Sequence, residues 1–94
     1  MEFEWNDAKD EANQRKHGIG FREAAEIFRG YVLVAKDLRR DYGEQRFVAL
    51  GEYAGEVIRL VFTNRNNKIR IITAWKANRN DRKIYQKARA HRQI

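Results

Sequence analysis

Four runs of β-branched and apolar residues, at 31–35, 46–50, 57–63 and 68–75, follow one another through the second half of the chain on short connections. This feature narrows the possible folds more than any other. Neighbouring parallel strands need a crossover of a dozen or more residues, usually a helix, whereas antiparallel neighbours need only a turn. Ala54-Gly55 marks one turn, and the stretch 64–67, with three Asn, tolerates left-handed backbone at another. The four runs are therefore expected to form an antiparallel meander.

Helical patterns flank the meander. Phe3 and Trp5 alternate with Glu2 and Glu4 as in a short strand, after which Asn6 or Asp7 offers an N-cap for a surface helix to about residue 16. His17-Gly18 ends that helix, with Gly18 suited to the left-handed position beyond it. Phe21, Ala24, Ala25 and Phe28 then fall at i, i+3, i+4 and i+7, one buried stripe that Gly30 stops. A last helix over residues 78–91 is expected to set Ile84, Ala88 and His91 on one side and Arg79, Arg82, Lys83 and Lys87 on the opposite arc. The order is β-α-α-β-β-β-β-α, an α+β fold. With no Pro and no Ser/Gly-rich linker, residues 1–94 read as one domain.

Charge is distributed unevenly. Residues 65–94 hold ten basic side chains against one acid, Asp81, whereas residues 1–30 hold five against seven and residues 31–64 five against five. A surplus concentrated in one third suits a polyanion, because clustered Lys and Arg release its condensed counterions. The plainer alternative is a solvated basic helix that keeps the protein soluble. The chain has no Cys, so disulfides, thiolate metal sites and Cys nucleophiles are excluded. No apolar run approaches the roughly 20 residues of a membrane span, and the acidic start is unlike a secretory leader. A cytoplasmic protein with no membrane partner is the expectation.

Several motifs in order carry a family resemblance. F-E-W-N-D-x-K-x-x-x-N-x-x-K-H-G-I-x-F from Phe3 to Phe21, E-x-R-F-x-x-L-G from Glu44 to Gly51 and V-F-T-x-R from Val61 to Arg65 are three of them. I-R-I-I-T-A-W-K-A from Ile69 to Ala77 and R-x-D-R-x-x-Y from Arg79 to Tyr85 complete the set. Together they resemble the BrnT family of ribonuclease toxins. The chain departs from that pattern with Asn6 for Asp, Gly20 for Ser or Asp, Asn64 for Glu, Trp75 for Arg and Asp81 for Glu. The resemblance implies a small RelE-like fold and ribonuclease activity. It also implies a BrnA-like antitoxin of the ribbon-helix-helix kind, operator DNA reached only through that antitoxin, and a higher-order toxin–antitoxin complex.

The residues themselves bear on how RNA would be cut. Carboxylates are scattered and the two His lie far apart, so no metal-ligand spacing is evident and no cofactor is called for. A metal-free route uses the RNA 2′-hydroxyl as nucleophile and needs groups that hold the phosphate and stabilise the transition state. Arg46, Arg65, Arg70 and Arg79 are candidates, since a guanidinium fork matches phosphate oxygens. Arg70, Ile72, Ala74 and Lys76 alternate and are expected on one face of the last strand. Proton transfer points to His17, which equally suits a helix C-terminus, and to Lys76 if surrounding cations lower its pKa. Arg79, Arg82, Lys83 and Lys87 are expected to steer RNA, while Tyr85 either stacks on a base or packs in the core. A non-catalytic RNA-binding module would share the basic face. A DNA-binding regulator fits less well, because the N-terminal helices are acid-rich.

Overall fold

The computed structural model describes residues 1–92 and contains a five-stranded sheet. The elements are β1 (Phe3–Glu4), α1 (Asp7–His17), α2 (Phe21–Ala24) continued by a 3₁₀ helix (Ala25–Arg29), β2 (Leu33–Lys36), β3 (Phe47–Tyr53), β4 (Glu56–Arg65), β5 (Lys68–Lys76) and α3 (Arg79–His91). The sheet order is β1-β5-β4-β3-β2. The last four strands form the expected antiparallel meander, and β1 joins β5 in parallel at the far edge. This is the α+β fold read from the sequence.

Local signals explain most of the boundaries. Asn6 caps α1 by accepting the Lys9 N–H at 3.0 Å, and Gly18 closes it in a left-handed conformation at φ 72°. Gly20 has no side chain with which to cap α2, and Asp10 of α1 supplies the oxygen instead, accepting the Phe21 N–H at 2.8 Å. The β3–β4 hairpin turns through Ala54 and Gly55, both at positive φ, and the β4–β5 hairpin through Asn66 and Asn67 likewise.

One face of the sheet packs against α1, α2 and the 3₁₀ helix, with Phe21, Ile27, Leu60, Ile71 and Ala74 at its centre. Backbones approach closely there: a Cβ on Gly51 would lie 2.7 Å from that of Ile27. On the other face Leu50, Val57 and Ala77 enclose Tyr85 of α3, with Tyr31 and Leu33 alongside.

Three expectations need correcting. The 21–29 segment is α-helical for only four residues before tightening to 3₁₀. Next, the stripe that docks α3 is Asp81, Tyr85, Ala88 and Arg89, while Ile84 is 47% exposed and His91 is exposed. Tyr85 wins because it fills the core and donates its hydroxyl to the Tyr31 carbonyl at 3.0 Å, while Asp81 receives Arg59 at 3.1 Å. Finally, Arg70 and Lys76 do not share a face. A bulge in β5 leaves Phe62 opposite Ile71 and Val61 opposite Thr73, so Ile72 has no registered partner and the alternation slips by one. Arg70 thus pairs with Thr63, whereas Lys76 pairs with the core residue Ile58 on the α1–α2 side.

The edge of β5 is closed by two devices. β1 covers its start, with Phe3 opposite Ile69 and Glu4 opposite Arg70. Beyond that, the Asn13 side chain stands in for a strand. Its amide nitrogen donates to the Ala74 carbonyl at 2.7 Å, and its oxygen accepts the Ala74 N–H at 3.2 Å. The same amide also donates to the Ile19 carbonyl at 2.9 Å and accepts the Thr73 hydroxyl at 3.1 Å. Asn13 is 6% exposed, and every polar atom of its side chain is used.

Candidate functional site

α3 covers only part of its face of the sheet. Outside its cluster lies a cross-strand row in which Glu4, Arg70 and Thr63 are neighbours on β1, β5 and β4. Arg46 continues the row one step before the first registered β3–β4 pair, and Asp37 accompanies it through a 2.7 Å bond from its N–H to the Arg46 carbonyl. Adjacent strands lie about 4.8 Å apart, so Arg46 and Arg70 flank the Thr63 position at about 10 Å from each other. The Thr63 hydroxyl donates to the Gln45 carbonyl at 2.7 Å, which ties the start of β3 down beside the two arginines.

Each charged group in this row has a partner. Arg70 donates to the Glu4 carboxylate at 2.6 Å, and both side chains are about one-quarter exposed. Glu44 takes Arg46 at 3.3 Å and Arg65 at 3.1 Å. The Arg65 hydrogen bond, then the Arg46 one, holds its carboxyl below the usual carboxylate range despite some desolvation. Arg46 also lies over the Tyr42 ring, 4.2 Å from its centroid. Asp37 has a buried side chain that accepts two bonds from the Arg39 guanidinium, at 2.9 and 2.8 Å, and one from the Tyr42 hydroxyl. The Arg39 side chain, foremost, holds that carboxyl well below the usual range.

Two side-chain steps further along the strands stands a second group. Arg59 of β4 is ion-paired with Asp81 and lies 6.0 Å from the Trp75 ring centroid, and the His17 ring meets Trp75 at 5.5 Å. At about 3.3 Å per residue, Arg59 is about 13 Å from Thr63 along β4. His17 therefore packs at Trp75 and is not beside Arg70.

The sequence candidates thus separate. Arg46, Arg65 and Arg70 come together at one end of the open face. Lys76 does not join them: it is on the opposite face, ion-paired with Glu56 at 3.2 Å. Tyr85 is 2% exposed, and its burial raises the hydroxyl pKa, so it anchors α3 and presents no ring to a base. Arg79, Lys83 and Lys87 are exposed along α3, and Arg82 is exposed while donating to the Ala77 carbonyl at 3.0 Å. Sequence reasoning missed Glu4, Arg59 and Asn13. Glu4 and Asn13 both lie inside the first motif from Phe3 to Phe21, so the signal was present there; only pairing over 60 residues away gives it meaning.

Among the described residues no three His, Asp or Glu side chains converge as metal ligands, and no helix is long and apolar enough to cross a membrane. Fold and face together define a small basic α+β protein with arginines set along an open sheet surface. A family model described as ribonuclease toxin, BrnT, of type II toxin–antitoxin system matches residues 5–81, and the chain belongs to that family. No curated protein matches it as a relative. Membership implies a cognate antitoxin as partner.

Proposed function

We propose that this chain is a metal-independent endoribonuclease in which the RNA 2′-hydroxyl attacks the adjacent phosphate and the P–O5′ bond breaks, leaving a 2′,3′-cyclic phosphate and a 5′-hydroxyl. It stops translation and growth until a BrnA-like antitoxin silences it. The observation that carries the reading is the row of Arg46, Thr63 and Arg70 on the part of the sheet outside the α3 cluster. Two guanidinium groups flanking one position suit a phosphate that gains charge in its pentacoordinate transition state.

Arg70 has five N–H donors, and its bond to Glu4 leaves others for a phosphate oxygen. Glu4, held against Arg70, is then placed to accept the 2′-hydroxyl proton. Arg46 and Arg65, bridged by Glu44, sit on the β3–β4 side of the same phosphate. His17 belongs with Trp75 as a ring platform for a neighbouring base. Arg79, Arg82, Lys83 and Lys87 extend the positive field along α3 and steer the strand in.

The test is cleavage of single-stranded RNA by purified protein in EDTA, with the matching DNA as control, on free RNA and on ribosomes. RNA cut to a 2′,3′-cyclic phosphate with DNA intact is the expected result. Loss of activity on chelation, or equal cutting of DNA, would exclude this mechanism.

A further inference from the structure

Every arginine on or beside the strands of the open face has a carboxylate: Arg46 and Arg65 share Glu44, Arg59 has Asp81 and Arg70 has Glu4. Two lysines close by do not. Lys9 and Lys16 of α1 make no ion pair among the described residues, and both are exposed. They line a groove of about 210 Å³ between α1 and the bulged part of β5, with Ala12 and His17 on the helix side and Ile72 and Thr73 on the strand side.

Helical spacing sorts these residues. Lys9, Ala12, Lys16 and His17 fall at i, i+3, i+7 and i+8, one stripe of α1. The helix acids lie elsewhere, and Asp10 among them is turned to the Phe21 N–H. At 1.5 Å per residue the two lysines are about 10 Å apart, a spacing for two groups along a strand and too wide for one. The small Ala12 side chain leaves the space between them open. The bulge brings Ile72, without a registered partner on β4, to the groove wall. The tilted His17–Trp75 ring pair closes the end of the stripe at His17. Asn13 pins the helix here, and since its amide is fully used it holds the groove's geometry and leaves recognition to its neighbours.

Cations without counter-charges beside an aromatic platform are what a single-stranded nucleic acid requires, charge for the backbone and a ring face for a base. An acidic peptide would need a deep apolar pocket for lasting affinity, which this shallow groove lacks. We propose that the α1–β5 groove is a second RNA subsite, in which Lys9 and Lys16 hold backbone phosphates of the strand leaving Arg70 and the His17–Trp75 pair receives a base. The proposal rests on the ribonuclease reading for its ligand.

Fluorescence anisotropy on the full-length protein with 2′-O-methyl RNA, which cannot be cut, separates the two. Wild-type affinity is expected to climb as the oligomer lengthens from about four to about ten nucleotides. Lys9→Ala with Lys16→Ala should remove that climb and leave the shortest oligomer unaffected. Losing two phosphate contacts should also flatten the log–log salt slope for the longest oligomer by about 1.4, and Lys16→Gln alone by about half of that. Equal weakening at all lengths, or an unchanged slope, overturns the subsite, as does a double variant that loses antitoxin affinity and retains all its RNA affinity. Length-dependent binding by a wild-type protein that cuts no RNA would instead discard the ribonuclease reading and keep the subsite.

Discussion

Arg70 and Lys87 are both cations on a basic protein, yet their surroundings differ. Arg70 is three-quarters buried against Glu4 and fixed on a strand, while Lys87 is exposed on α3. Arg70→Ala is expected to lower turnover at saturating RNA by about 10²–10³-fold with the fold intact, as removal of a transition-state contact does. Lys87→Ala should mainly raise KM and reduce salt dependence. Equal turnover in the two variants would erase the distinction between site and steering surface. Asp37 makes a different kind of prediction. Its folded pKa is depressed by Arg39, so its stabilising contribution is complete above the unfolded value near 4 and is lost as pH falls through the folded value. Asp37→Asn should therefore cost about 2 kcal/mol near pH 7, and progressively less below pH 4, in urea titrations at each pH. A penalty that persists at low pH would show that packing, not charge, accounts for it.

At the scale of elements, the sequence was most legible where local signals decide. The meander, the Asn6 cap, the Gly18 stop and the two hairpin turns follow from spacing and backbone preference. It was least legible where a distant partner decides. Ile84 reads as core on a helical wheel, but α3 docks through Tyr85, whose acceptor is 54 residues away. The β5 bulge has no local mark, and it alone moved Lys76 out of the site that Arg70 occupies. The docking face can be tested directly. Ile84→Lys should change stability by no more than about 0.5 kcal/mol, while Tyr85→Ala should cost about 3–5 kcal/mol. The opposite ranking in thermal unfolding would restore the stripe read from the sequence.

For the whole molecule, surplus positive charge and the open face imply where silencing acts. An antitoxin segment that is acidic at its rim and apolar at its centre would mask the Arg46–Arg70 row and the nearby start of α3, leaving Lys76 outside its footprint. RNA and antitoxin are then expected to compete for the toxin, and reversing the charges of Arg79 and Arg82 together should slow association more than it speeds dissociation. A stable ternary complex with intact RNA, seen by native mass spectrometry, would point to inhibition from a distance.

The strand-like part played by Asn13 has a temporal side. β1 and α1 are synthesised before β5, and their partners on that strand lie 58 to 66 residues later, so both must wait for β5 to emerge. Glu4 reaches Arg70, and α1 walls its groove, only after Ala74 has left the ribosome. The protein is thus expected to be born inert beside the RNA that encodes it. Chains arrested at increasing lengths should show protease protection of residues 1–17 only once β5 has emerged, and earlier protection would mean that the N-terminal segment docks elsewhere first.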